Sequence, residues 1–301
     1  MIAFKGGFYM AIEKVVIPVA GAGTRLLPVT KSQPKEMLPV GRKPVVQYVV
    51  EEAEEAGLRQ ILFVTGRHKQ SIEDHFDRDM DLIRKLTEMG RDPIIEELDY
   101  DERDVSFFYV RQSAPAGLAD AVRCARDFVG ASPFVVSLGD TIIRSGGSAR
   151  LLERMIAAHL ANGAAATIAV ERVKPDLAHS YGIVIPDGEP SDVFRIKGLV
   201  EKPREAPSPF AIAARYIFDP VIFEGIDRTV ADSKGELQLT DSIRVLINMG
   251  KSVQCVLLGP EESRYDIGSF ASYFRAFVDF ALEDEKYGYT LRQHLARKTT
   301  P

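Results

Sequence analysis

Two short stretches near the start of the chain combine residue types that bind anions: Gly21-Ala22-Gly23-Thr24-Arg25-Leu26-Leu27-Pro28 and Pro34-Lys35-Glu36-Met37-Leu38-Pro39. Glycines let the backbone approach an anion closely and aim successive N–H groups at it. Arg25 and Lys35 add full charges where the backbone offers only partial ones. The run Val15-Val16-Ile17-Pro18-Val19-Ala20 just before them is short and rich in β-branched residues, as in a buried strand. A strand entering such a loop is suited to cradle a polyphosphate. The same glycines would also serve a plain turn, so the stretch alone leaves both readings open.

Two better-known phosphate loops fail on spacing. A dinucleotide fingerprint needs a third glycine where Leu26 stands. Gly250-Lys251-Ser252 resembles the end of a Walker loop, but its partner glycine would fall at Val245. Gly250 reads more simply as the stop of a helix over 239–249.

Carboxylates supply the second ingredient. Asp140 follows the strand Phe134–Leu138 through Gly139, at the strand end where ligands collect in open α/β sheets. Asp266, in Tyr265-Asp266-Ile267-Gly268, is a second candidate. Magnesium takes one or two protein carboxylates and fills its other positions with phosphate and water, so two such acids suffice. Either acid could instead cap the segment that follows it. Glu201-Lys202-Pro203 closes a predicted strand with a carboxylate for sugar hydroxyls and an ammonium for a phosphate, or else forms a surface turn.

Composition narrows the class. The chain has 301 residues, enough for one large α/β domain, and a net charge of −5 that argues against a nucleic-acid partner. Anions must be held locally, and Arg25, Lys31, Lys35, Arg42 and Lys43 cluster in one stretch. No apolar run is long enough to span a membrane. The two cysteines, Cys124 and Cys255, read as small core residues of a reducing compartment, and the cytoplasm is expected. The histidines show no metal-ligand spacing.

Elements that position these residues alternate along the chain. Strands are expected at 15–20, 61–64, 105–112 and 134–138, with helices at 44–57, 68–77 and 118–128 between them. The acidic run from Glu96 to Asp104 reads as a surface excursion. A helix over 150–162, a strand over 164–171, an antiparallel pair at 181–185 and 194–200, and a strand at 211–218 follow. The aromatic-rich tail 268–296 is helical. The expected fold is α/β: a Rossmann-like, doubly wound, mostly parallel sheet with a hairpin-rich insertion on the sugar side and C-terminal helices. Residues 1–11 read as a flexible extension, with Met10 as an alternative start, and 12–301 as one domain. Its first part covers about 12–150, its second about 151–267 and its helical tail about 268–301.

Taken together, Gly21–Arg25 with Pro34–Pro39, Gln112, Gly117-Leu118-Ala119, Leu138-Gly139-Asp140, Glu201-Lys202-Pro203, Gly235–Asp241 and Tyr265–Gly268 occur in the order seen in bacterial sugar-1-phosphate nucleotidylyltransferases. The resemblance covers roughly residues 13–280. Ile17–Gly21, Lys35–Pro39, Gln47–Val50 and Val110–Gln112 resemble the uridylyl branch of that family. By this resemblance Ala20, Gly21, Gly23 and Thr24 meet the nucleotide, Arg25 and Lys35 its phosphates, and Gln112 and Gly117 its base. Asp140 and Asp266 hold Mg²⁺, while Gly182, Glu201 and Lys202 contact the sugar phosphate. The implied substrates are UTP and glucose 1-phosphate, and the implied assembly is a homodimer or homotetramer. The chain also departs from the branch. Ala119-Asp120 stands where that branch has Gly-His, and Leu118-Ala119 with Leu138-Gly139-Asp140 is closer to the thymidylyl pattern. A thymidylyltransferase using dTTP is therefore the alternative, and a silent nucleotide-sugar-binding regulator a more distant one.

Overall fold

The computed structural model describes residues 12–91, 94–95, 104–146 and 150–299. The expected extension 1–11 and the acidic run 96–103 lie outside the described residues.

The first half builds the strands β1 (Lys14–Pro18), the short hairpin β2 (Pro39–Val40) and β3 (Lys43–Pro44), β4 (Gln60–Thr65), β5 (Ser106–Arg111), β6 (Phe134–Ser137) and β7 (Thr141–Ser145). Helices α1 (Val45–Glu55), α2 (Gln70–Phe76), α3 (Met80–Glu88), α4 (Leu118–Arg123) and α5 (Arg126–Val129) connect them. The second half adds α6 (Leu151–Asn162), β8 (Ala166–Arg172), β9 (Gly182–Pro186), β10 (Val193–Glu201), β11 (Phe210–Phe218), α7 (Ile222–Asp227), α8 (Leu239–Asn248), β12 (Val253–Leu257) and β13 (Glu262–Asp266). Helices α9 (Phe270–Glu283) and α10 (Gly288–Thr299) close the chain.

One nine-stranded sheet has the order β5-β4-β1-β6-β11-β8-β12-β10-β9. Strands β5, β4, β1 and β6 pair in parallel, while β11 runs against both β6 and β8. Only β10 and β11 oppose the direction of the rest, so the sheet is mixed though mostly parallel in direction. The expected hairpin β9–β10 is a continuation of this sheet, and Ile183 of β9 also pairs with Ala211 of β11. The helix expected over 118–128 is divided at Cys124-Ala125, and the tail is divided between α9 and α10.

Helices cover both faces because strand residues point alternately to either side. Val15 and Ile17 pack with Val46, Val49 and Val50 of α1, Ile72 of α2, and Leu151 and Met155 of α6. Val16 points the other way, into Val122 of α4, Phe223 of α7 and Ile243 of α8. Each fully buried valine of α1 contributes about 2 kcal/mol by leaving water. A smaller third cluster joins Leu26 and Leu38 of the anion-binding stretches to Ile142, Ile267 and Ala276. The C-terminal helix α9 thus braces the loops after β1 from outside the main sheet.

From β1 the chain winds outward to β4 and β5, then returns across β1 to β6. The crevice at the carboxyl ends of β1 and β6 is the switch point where such sheets bind ligands. Residues 19–25 and 138–140 leave the sheet there.

Candidate active site

Two clefts adjoin along this edge. The first, about 360 Å³, is floored by Ala20, Gly21 and Ala22 and walled by Lys31, Gly66–Lys69, Gln112 and Pro115. The second, about 320 Å³, is lined by Arg25, Asp140, Gly182, Glu201, Lys202 and Asp266, with Tyr216, Gln238, Thr240 and Arg264. The loop 20–25 borders both, as does the segment 112–118.

Asp140 and Asp266 are 126 positions apart in sequence, yet antiparallel pairing of β7 with β13 sets Thr141 opposite Asp266. The Ile267 N–H donates to the Asp140 carbonyl at 2.9 Å, locking the two ends together. Burial pushes the Asp266 carboxyl above its ordinary pKa, and the Asp140 charge pushes it further, against Arg264, Arg25 and Lys35. For Asp140 burial acts in the same upward direction. The Lys35 ammonium and its hydrogen bond, aided by Thr141, outweigh burial and hold this carboxyl below its ordinary range. Lys35 Nζ bonds Asp140 Oδ2 directly. Two mutually repelling oxygen-donor carboxylates, one of them already drawing a cation, fit a hard divalent ion. Among the described residues no group of three or more histidines, cysteines or acids is arranged as a metal site.

The glycine loop is held from below. Lys69 Nζ donates to the Gly21 carbonyl at 2.8 Å and to Glu36 Oε2 at 2.8 Å. Burial raises the Glu36 pKa, while Lys69 and Lys35 pull it back down. This buried pair fastens the first anion-binding stretch to the second. Thr30 Oγ1 caps the Gly23 carbonyl at 2.8 Å. Gly23 and Thr24 begin a 3-10 turn and line neither cleft, whereas Arg25 points to the cleft that holds the two acids.

Glu201 and Lys202 face one cleft because Lys202 leaves β10 with φ +43°, a left-handed turn at a strand end. A non-glycine residue there stores on the order of 1 kcal/mol of backbone strain. Their side chains pair at 2.9 Å, and Thr240 Oγ1 donates to Glu201 Oε2 at 2.9 Å. Gly182 sits beneath them. A Cβ on it would fall 2.9 Å from Ile212 Cδ1 and 3.2 Å from Glu201 Oε2, so the absence of a side chain is what lets Glu201 lie flat there.

Gly117 lines neither cleft itself but joins them. Its φ is +97°, and a Cβ would lie 2.4 Å from the Leu237 carbonyl oxygen. The Leu237 N–H donates to Ala116 O at 2.8 Å and the Ala119 N–H to Leu237 O at 3.0 Å. This contact docks the segment Gly235–Asp241 onto the loop before α4. It explains why that segment, which the sequence reading noted without a role, brings Gln238 and Thr240 into the second cleft. Tyr216, Arg264, Arg67 and Lys69 are further lining residues that the sequence reading missed. They carry no local motif, since each lies on a strand or turn whose neighbours only the fold supplies.

Residues 14–283 match the nucleotidyl transferase family. A UTP–glucose-1-phosphate uridylyltransferase of Staphylococcus haemolyticus is 39% identical over 277 residues, 91% of this chain and 94% of that protein. Among solved structures, a UTP-bound UGPase from Acinetobacter baumannii superposes with a TM-score of 0.88 at 37% identity, covering 95% of this chain and 99% of that one. A UDP-glucose pyrophosphorylase complexed with UDP-glucose gives a TM-score of 0.78 at 35% identity, covering 90% of this chain and 99% of that one. Among the described residues no helix is long and apolar enough to cross a membrane.

Proposed function

The chain belongs to the nucleotidyl transferase family, and from that premise we propose that it transfers a uridylyl group from UTP to glucose 1-phosphate, giving UDP-glucose and pyrophosphate. The observation that carries this reading is the pair of adjoining clefts with Asp140 and Asp266 at one strand edge between a glycine loop and the Glu201-Lys202 turn. The uridylyl relatives at 39% and 37% identity favour UTP as the donor. dTTP is the second reading, favoured by Leu118-Ala119 and Leu138-Gly139-Asp140.

A phosphate oxygen of glucose 1-phosphate attacks the α-phosphorus of UTP. The new P–O bond forms in line as the bond to the bridging oxygen of the β-phosphate breaks, and pyrophosphate departs with that electron pair. A phosphate monoester has its second pKa near ~6, so the nucleophile is already ionised at neutral pH and no side-chain base is required. The protein's task is to bring two anions together and align them. Ala20 and Gly21 receive the nucleotide, with Gly23 and Thr24 setting the turn behind them, and Gln112 meets its base, with Gly117 shaping the loop between the two clefts. Glu201 binds sugar hydroxyls over Gly182, and Lys202 steers the attacking phosphate. Arg25 and Lys35 oppose the charge of the triphosphate. Asp140 and Asp266 would hold Mg²⁺, which when bound supplies charge neutralisation on the phosphates.

A pyrophosphate-release assay with UTP, dTTP, CTP, ATP and GTP against several sugar 1-phosphates tests the reading. Release should be fastest with UTP and glucose 1-phosphate and should stop when EDTA removes the divalent ion. Absence of release with every pair would discard the proposal. The same reading includes a cytoplasmic protein that self-associates through its C-terminal helices. There Phe274, Phe277 and Val278 of α9 and Tyr289 of α10 are exposed, large apolar groups open to contact. Light scattering should give a dimer or tetramer mass, and a monomer mass at micromolar concentration would reject that part.

A further inference from the structure

The side chain of Gln112 is fixed in one orientation by groups that can only accept hydrogen bonds. Its Nε2 donates to Asp120 Oδ2 at 2.7 Å and to the Gly117 carbonyl at 3.2 Å. Gln112 and Asp120 are each 7% exposed, so water does not compete freely for these bonds. The other Asp120 oxygen accepts from the Arg123 guanidinium one turn along α4. A carbonyl and a carboxylate offer no proton, so turning the amide over would set Oε1 against two acceptors and lose both bonds. The chemistry of the neighbours therefore assigns nitrogen and oxygen. Backbone pairing holds the other end, since the Gln112 N–H donates to Thr65 O at 2.9 Å at the end of β5. The amide atom left for a ligand is Oε1. Among the described residues no donor meets it, it is absent from the buried unsatisfied atoms, and Gln112 lines the first cleft.

We infer that Asp120 is a positioning residue for nucleobase selection, locking Gln112 so that it presents only an acceptor to the ring edge of the base. This rests on the proposed uridylyl-transfer reading, in which Gln112 meets the base. An acceptor at this place receives the N3–H of uracil or thymine. Cytosine instead turns an N3 lone pair toward it, leaving two acceptors face to face. The C5 methyl that separates thymine from uracil lies beyond C4 on another edge of the ring from N3–H, so this device does not discriminate UTP from dTTP. Asp120 is one of the positions where the chain departs from the uridylyl pattern. Its consequence here is imide against amidine recognition, not ribose or methyl recognition.

Asp120→Asn tests the inference, because an asparagine amide presents either an acceptor or a donor to Gln112 and so leaves only the Gly117 carbonyl to oppose the turned-over orientation. Binding of UTP and CTP by calorimetry and kcat/KM for UTP, dTTP and CTP are measured on the native chain and the variant. The native chain should favour UTP over CTP, and the variant should narrow that preference by about tenfold, the size of one misplaced hydrogen bond, with the UTP to dTTP ratio unchanged. A merely structural role would weaken all three nucleotides together. Equal losses for UTP and CTP in the folded variant would overturn the inference. If Asp120→Asn does not fold, Asp120→Ser, which is smaller and also offers both a donor and an acceptor, carries the same expectation. A native chain that binds UTP over CTP, with the preference narrowed in the variant, yet transfers no uridylyl group would refute the proposed activity while supporting the role of Asp120.

Discussion

Asp140→Asn should lower kcat by about 10³-fold, equivalent to about 4 kcal/mol of transition-state stabilisation, the upper range for removing one electrostatic contact in a closed site. Asparagine is the informative choice because its amide oxygen still accepts from Lys35, preserving the contact that crosses from the second anion-binding stretch to the β6 strand end. Asp140→Ala would leave a largely buried ammonium unpaired and confuse loss of function with loss of stability. The Asn variant should retain its circular dichroism spectrum and lose affinity for the divalent ion, read by titrating Mg²⁺ in the pyrophosphate assay. Its acid stability should change in a defined direction. A carboxyl held below its ordinary pKa of 3.8 stabilises the fold above that value and loses the contribution as pH falls. The native chain should therefore lose stability more steeply than the variant on acidification through that range. Near-native turnover in folded Asp140→Asn would remove Asp140 from the mechanism.

Arg215→Ala should destabilise the fold by about 3–5 kcal/mol, the usual consequence of breaking a buried ion pair from one side. Arg215 is fully buried. Its Nε and one terminal nitrogen donate to Glu52 Oε2 of α1 at 2.9 and 2.6 Å, and the same terminal nitrogen donates to Thr141 O at 2.8 Å. It lies beside Ala214, which has φ +62° where the pairing of β11 with β8 is interrupted between Ile212 and Tyr216. The guanidinium thereby ties β11 and α1 to the residue next to Asp140. Urea unfolding should show a lower midpoint with the slope preserved, and kcat should fall with it as Thr141 loses its anchor. A midpoint within the error of the native value would show that Glu52 is accommodated without its partner and would remove the Arg215–Glu52 pair from the support of the fold.

Much of the site was legible because its parts are local. The glycine loop after β1, the Lys35 stretch, Asp140 after β6 and the Glu201-Lys202 turn each sit at a strand end, and strand ends are marked by apolar runs meeting glycine, proline or acid. Helix α1 was readable from its valine stripe and from Gly57 beyond it. The ribbon of β7 with β13 was not. Glu262-Ser263-Arg264-Tyr265-Asp266 carries no alternation of apolar residues and becomes a strand only because β7 lies opposite it. The break between α4 and α5 was equally hidden, since Cys124 and Ala125 are neutral helix residues and nothing local marks the stop.

Sequence alone narrowed the kind of chemistry here: cations beside a glycine loop, two separated acids and no nucleophile–base set suit the handling of phosphates without covalent help, and the order of the motifs favoured that reading over plain turns and caps. The tertiary structure decided which groups act together. Strand pairing across the chain sets Thr141 opposite Asp266, a positive φ turns Lys202 toward Glu201, and docking of Leu237 on Gly117 carries Thr240 into the second cleft. The orientation of the Gln112 amide also emerged only there, because it depends on which atoms of Asp120 and Gly117 surround it. Residue types are fixed by covalent structure, whereas distances between residues far apart in sequence are fixed only when burial and hydrogen bonding select one packing of the whole chain.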